Sequence, residues 1–248
     1  MDKIVLVTGG SRGIGGAAAL LAARHGWAVA VNYAHGAEAA DGVVRQIMDA
    51  GGRAMAVQAD VAVEAQVLAM FEAVDRQPGR LTALVNNAGV VDRPAQVAEM
   101  TGERLRRMFD INVLGSFYCA REAVLRMSTK RGGAGGSIVN VSSAAARLGA
   151  AHQYVDYAAA KGAVDVLTLG LAREVAPEGI RVNAVRPGLI DTGIHASGGL
   201  PDRVRDLAHQ VPMGRGGTAA EVAEAIVWLM SGASPYTTAS YLEIAGGR

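Results

Sequence analysis

A chain of 248 residues, half of them apolar and carrying a formal net charge of +1, can bury one large core and has no charge excess. That balance excludes a disordered chain and a surface built to coat nucleic acid. The lone Cys119 excludes an internal disulfide, and no apolar run approaches the ~20 residues of a membrane span. Cys119 lies in the apolar run Phe117-Tyr118-Cys119-Ala120 and reads as a packed thiol. The opening apolar run, Ile4 to Val7, is too short for a signal-peptide core. A soluble cytoplasmic protein that binds neither membrane nor nucleic acid is expected.

Short β-branched runs alternate with longer alanine-rich stretches. Strands are predicted at Lys3–Val7, Ala28–Asn32, Arg53–Gln58, Ala83–Asn86, Ser137–Val141, Arg181–Val185 and Ala239–Ile244. Helices are predicted near Ile14–His25, Ala37–Ala50, Glu64–Arg76, Gly102–Lys130, Asp156–Ala176 and Ala219–Met230. Several strands are apolar throughout, so both sheet faces must be covered. The pattern gives an α/β Rossmann-type fold: one domain, residues 1–248, with a doubly wound parallel sheet of seven strands.

The first strand runs into Thr8-Gly9-Gly10-Ser11-Arg12-Gly13-Ile14-Gly15 and then a helix. Glycines there let backbone N–H groups approach a pyrophosphate, and the helix N-terminus stabilises its charge. Further on, Tyr157 and Lys161 share one helix face below Ser142-Ser143. An ammonium beside a phenol favours the phenolate, so the pair can act as an acid-base group for carbonyl and alcohol chemistry. A serine at the end of the preceding strand can hold the same oxygen.

In this register the chain resembles the short-chain dehydrogenase/reductase family over essentially its whole length. The resemblance rests on the glycine loop, Asp60-Val61, Asn86-Asn87-Ala88-Gly89, Asn112, Ser143, Tyr157, Lys161, Pro187-Gly188 and Thr192. It implies that Tyr157 exchanges the proton, that Lys161 lowers its pKa and binds the nicotinamide ribose, and that Ser143 holds the reacting oxygen. It further implies that Asn112 anchors a relay water, that Asp60 and Val61 contact the adenine, and that Asn87 and Gly89 line the adenosine side. Ile190 and Thr192 are implied to grip the carboxamide. The coenzyme site is therefore expected at Gly9, Ser11, Arg12, Gly13, Ile14, Gly15, Asn32, Asp60, Val61, Asn87, Ala88, Gly89, Pro187, Gly188, Ile190 and Thr192, with Tyr157 and Lys161 shared. No metal site is expected. The stretch from Ser143 to Tyr157 is one residue longer than the commonest family spacing, which keeps Ser142 open as the rival serine.

The second strand ends Val31-Asn32-Tyr33-Ala34-His35, with no carboxylate before Glu38. An acidic residue there normally binds the ribose 2′-hydroxyl of NAD. Its absence, with Arg12 in the glycine loop, favours NADP(H), Arg12 and Asn32 being the discriminating contacts; NAD(H) stays possible.

The resemblance places a substrate lid at about residues 190–212, with Gly193 and Gly198-Gly199 as candidate hinges. Val91, Asp92, Arg93, Ala145, Arg147, His152 and Tyr154 are candidate walls. A small free substrate (sugar, polyol or ketone) is favoured over an acyl-carrier thioester. Glu178 opposes an acidic carrier that Lys130 and Arg131 could attract, and Arg203 and Arg205 are balanced in sequence by Asp202 and Asp206. The alternatives are a 3-oxoacyl-[acyl-carrier-protein] reductase and a non-enzymatic NADP-sensing regulator. A homotetramer is implied, with the apolar stretch 226–230 in one interface.

Overall fold

The computed structural model describes residues 3–248. Seven parallel strands form one sheet in the order β3-β2-β1-β4-β5-β6-β9. They are β1 (Lys3–Val7), β2 (Ala28–Tyr33), β3 (Arg53–Gln58), β4 (Arg80–Asn86), β5 (Gly136–Val141), β6 (Ile180–Pro187) and β9 (Tyr241–Ile244). The central strands are buried on both faces; in β5 every residue after Gly136 is buried. One face is covered by α1 (Gly13–Arg24), α2 (Ala37–Asp49) and α10 (Ala219–Met230), the other by α3 (Glu64–Asp75), α5 (Gly115–Met127) and α7 (Val155–Val175). Strand order reverses between β1 and β4, so a crevice opens at their carboxyl ends, where open α/β sheets bind ligands. Among the described residues no helix is long and apolar enough to cross a membrane.

The predicted helix 102–130 is divided. It runs as α4 (Gly102–Phe109), a π-helical segment Asp110–Leu114, and α5, ending at Met127. The wider π turn sits over Val61. A Cβ on Gly115 would lie 2.7 Å from the Val61 side chain, so the helix can approach the third strand's end only at a glycine. The last strand starts at Tyr241 rather than Ala239, which takes φ +57 and donates its N–H to the Val182 carbonyl. The lid region carries two short helices, α8 (Ile194–Ser197) and α9 (Arg203–Leu207), and is closed at its base by a two-residue pair, β7 (Ile190–Asp191) with β8 (Gly217–Thr218). A short helix α6 (Ala145–Leu148) completes the set.

Of the apolar stretch 226–230, Ile226, Val227, Leu229 and Met230 are buried in the chain's own core, and only Trp228 is exposed. Cys119 is buried as well, and burial pushes its thiol up to about 12, where it is unreactive. A buried ion pair ties α4 to α7: Arg104 donates to both oxygens of Asp156 (2.7 and 3.2 Å) and to the Arg93 carbonyl (2.7 Å). Asp156 in turn accepts the Tyr157 N–H at 2.9 Å, fixing the first turn of α7. Removing one partner strands a buried charge. Arg104→Ala is therefore expected to lower unfolding free energy by about 3 kcal/mol in denaturant titration, whereas a change under 1 kcal/mol would show the pair to be ornamental.

Candidate active site

The glycine loop and the end of β4 form one unit. Thr8 Oγ1 accepts the N–H groups of Asn87 (2.9 Å) and Ala88 (3.0 Å), and Asn87 Nδ2 donates to the carbonyls of Thr8 (2.9 Å) and Gly9 (3.0 Å). A Cβ on Gly15 would stand 2.3 Å from the Gly9 carbonyl oxygen and 2.4 Å from Asn87 Nδ2, so only glycine lets the α1 N-terminus sit this close. Gly9 and Gly13 take left-handed φ values of +60 and +55. Bare backbone at a helix N-terminus is the cradle a pyrophosphate needs, and these residues fit a dinucleotide. Arg12 is the α1 N-cap residue, exposed and making no side-chain cap bond.

Asn32 does not stand beside Arg12 as a discriminating contact. It is 1% exposed, its Oδ1 accepts the Gly9 N–H (3.2 Å), and its Nδ2 donates to the carbonyls of Val57 (3.3 Å) and Ala59 (3.0 Å). Every polar atom is spent stitching β2 to the loop and to the end of β3. Asp60 accepts the Ala62 N–H at 2.9 Å, next to the buried Val61. Asn86 is part of β4 rather than a turn, bonded to the Ser116 carbonyl and to Asn140, which continues to Thr168 on α7.

At the end of β5 the catalytic candidates converge. Lys161 Nζ donates to the Val141 carbonyl at 2.8 Å and lies 5.6 Å from the Tyr157 ring centroid. The ammonium is thus over the ring face and anchored to the strand. Burial pulls its pKa down to about 8, against the opposing charge of Asp165 one turn further on. Burial pushes the Tyr157 hydroxyl up to about 12, and a hydrogen bond from Ser143 works against it. Lys161 lies over the Tyr157 ring, and the Tyr157 hydroxyl faces the cavity. Between the two serines the geometry differs. Ser142 is buried and donates to the Lys161 carbonyl (3.3 Å), while Ser143 accepts the Ala145 N–H (3.1 Å) and meets Tyr157.

Asn112, in the π segment, does not line the cavity. Its Oδ1 accepts the Val90 N–H (3.2 Å), and its Nδ2 donates to the carbonyls of Val90 (3.1 Å) and Met108 (3.0 Å). Its own carbonyl accepts from Ser116 Oγ at 2.9 Å. Through these bonds Asn112 holds the 89–90 loop in place. A Cβ on Gly89 would fall 2.7 Å from Asn112 Oδ1 and 3.5 Å from Lys161 Nζ, which shows how tightly the three meet.

The cavity beside this cluster measures about 450 Å³. Ile14, Asn87, Gly89, Ser142, Ser143, Tyr157, Lys161, Pro187, Gly188, Ile190 and Thr192 line it, joining coenzyme and catalytic candidates in one space. Gly9, Ser11, Arg12, Gly13, Gly15, Asp60, Val61 and Ala88 lie outside it. Of the candidate walls, Val91, Ala145 and Tyr154 line it. Asp92, Arg93, Arg147 and His152 do not: Asp92 pairs with Arg107, the Arg93 carbonyl binds Arg104, Arg147 binds the Arg248 main chain, and His152 is exposed. Between Ser143 and Tyr157 the chain makes a left-handed turn, with Gly149, Ala150 and His152 at φ +75, +48 and +61. Sequence reasoning missed Gln153, His195, Arg203 and Arg248 as walls. Gly198 is a packing position, since a Cβ there would lie 2.9 Å from Val91, and Gly193 has ordinary φ −62. Among the described residues no His, Cys, Asp and Glu cluster could hold a metal.

The sequence model of a family described as enoyl-(acyl carrier protein) reductase matches residues 9–248. An uncharacterised oxidoreductase of Escherichia coli, YgfF, is 56% identical over 245 residues, covering 99% of each chain. A cis-4-hydroxycyclohexanecarboxylate dehydrogenase of Sinomonas cyclohexanicum is 40% identical, over 99% of this chain and 96% of that one. Among solved structures, a short-chain type dehydrogenase/reductase from Mycobacterium marinum superposes with TM-score 0.93 at 35% identity, over 99% of this chain and 94% of its own.

Proposed function

Because the chain belongs to the short-chain dehydrogenase/reductase family, an enzyme family dependent on NAD(P), we propose that it interconverts a carbonyl and a secondary alcohol with NADP(H) on a small free substrate. The observation that carries this reading is the convergence of Tyr157, Ser143 and Lys161 on one cavity that also touches the glycine loop at Ile14. The bound coenzyme supplies or accepts the hydride. Tyr157 gives its proton to the substrate oxygen as that oxygen gains charge, or takes one in the reverse direction. Ser143 holds the same oxygen, and the Lys161 ammonium stabilises the charge that passes through the ring hydroxyl. Asn112, Arg104 and Asp156 fix the positions of these groups from behind.

Arg12 is the side chain we assign to a 2′-phosphate, and no carboxylate stands between β2 and Glu38 to repel one. A small substrate is supported by the charge state of the outer surface near Glu178. Lys130, one of the two cations that could draw an acidic carrier, pairs with Glu178 at 3.3 Å, and Ser128 donates to the same carboxylate. The apolar walls Val91, Ala144, Leu148, Leu189 and Ile194 suit a ketone better than a sugar or polyol, whose hydroxyls need partners. The acyl-carrier thioester is the second reading, favoured by the carrier protein in the matching family's description. Homotetramer assembly and a cytoplasmic location complete the proposal; the exposed Leu105, Phe109 and Phe117, on α4 and α5, supply an apolar face for a partner copy.

Replacing Tyr157 by Phe should lower kcat by more than about a thousandfold while NADPH affinity in fluorescence titration changes less than about threefold; retained turnover would exclude Tyr157 as the proton donor. The pH dependence follows from Lys161. Its ammonium is charged below pH 8 and lost above, so kcat/KM for ketone reduction should be level at low pH and fall as pH rises through about 8. A profile flat from about pH 6 to 10 contradicts that role. For coenzyme choice, Arg12→Ala should cut the NADPH-over-NADH ratio of kcat/KM by about tenfold, and a wild-type preference for NADH overturns the assignment.

A further inference from the structure

Two arginines, Arg203 and Arg248, are among the residues that line the cavity holding Tyr157 and Ser143, and no aspartate or glutamate lines it with them. The sequence around Arg203 looks balanced, yet both acids beside it are spent elsewhere. Asp202 and Asp206 each pair with Arg205 at 3.0 Å. Among the described residues Arg203 makes no ion pair; its NH2 donates to Gln153 Oε1 at 2.6 Å, and its guanidinium lies 5.1 Å from the Tyr154 ring centroid. Arg248 donates to Gln210 Oε1 at 3.3 Å, and its main-chain oxygen is held by Arg147. Burial and the repulsion of Arg248 both hold the Arg203 pKa below the ordinary arginine value. An arginine has five N–H donors, so most of those on Arg203 are left for a ligand. A half-buried guanidinium without a carboxylate partner is costly, and an anion bonded to the free donors of Arg203 removes that cost.

The remaining wall restricts what the anion is attached to. Gln153 Oε1 is taken by Arg203 and His195 Nε2 by the Ile190 carbonyl, while Val91, Leu148, Ala151, Leu189 and Ile194 are apolar, a wall better matched to a hydrocarbon body than to a polyol. We propose that the substrate is a hydroxy or oxo acid with an apolar body, its carboxylate held by Arg203 and Arg248 and its carbinol or carbonyl carbon presented to Tyr157 and Ser143. This rests on the carbonyl-alcohol reading above and assigns the opposite end of the same site. Stacking on Tyr154 and the bond to Gln153 pre-orient the Arg203 fork, which suits the planar, bidentate geometry of a carboxylate.

The test follows NADPH oxidation with 4-oxocyclohexanecarboxylate, its methyl ester and a phosphorylated ketone, together with thermal stabilisation by each compound. Wild type should favour the carboxylate over the ester in kcat/KM by about 10- to 100-fold. Arg203→Gln should bring that ratio close to one, Arg203→Lys should retain part of it, and Arg248→Gln should reduce it. Stabilisation should follow the same order. Equal use of acid and ester, unmoved by Arg203→Gln, overturns the anion site while the oxidoreductase reading stands. Stabilisation by the carboxylate that is lost in Arg203→Gln, without turnover of any ketone, supports the anion site and overturns that reading. Preference for the phosphorylated ketone, or for an acyl thioester, overturns the carboxylate assignment.

Discussion

The hydrogen bond from Lys161 Nζ to the Val141 carbonyl fixes how α7 lies on the sheet. It sets a helix side chain against the last residue of a central strand, so the helix can neither slide nor rotate without stranding a buried ammonium. One turn earlier on the same face stands Tyr157, which is thereby delivered to the end of β5 beside Ser143. The rest of α7 is pinned in the same manner. Asp156 is held by Arg104, and Asp165 is held by Arg186 at 2.8 Å. Two ion pairs and one buried hydrogen bond, at three levels of one helix, convert a general α/β packing into a specific placement of one hydroxyl.

The coenzyme end uses the opposite device. Charges are few there, and the positions are set by closeness of backbone. Gly15 against Gly9, Gly89 against Asn112 and Gly115 against Val61 are contacts that any Cβ would break. Asn87, Asn32 and Asn112 then spend their amides on carbonyls and N–H groups of neighbouring loops. A rigid, largely side-chain-free rim results, suited to a ligand recognised through its phosphates.

Much of this was legible in the sequence. Strands buried on both faces appear as unbroken β-branched runs, so all seven main strands are predicted within a few residues of where they lie. The glycine loop is legible because its position between strand and helix is local information. Asn32 was misread because a polar residue at a strand end has the same spelling whether it faces a ligand or a neighbouring carbonyl. The π segment at Asn112 leaves no mark in a helical periodicity. Tyr157 and Lys161 lie on one face, as their spacing predicts, but spacing says nothing of desolvation, which raises the phenol's pKa. Arg203 was hidden by its neighbours: adjacency to Asp202 and Asp206 reads as neutralisation, and only the fold reveals that Arg205 takes both.

The central claim is that Tyr157, set beside Ser143 by the helix that Lys161 anchors, meets the substrate as a protonated acid. The direct test is an NMR titration of the protein carrying 13C at the tyrosine ring carbon bonded to oxygen, with the Tyr157→Phe spectrum assigning the resonance. The account predicts that the Tyr157 signal stays at its phenol position beyond pH 10, toward the value of about 12 set by burial. A signal moving to the phenolate position near neutral pH would contradict it, and would return control of the proton to Lys161.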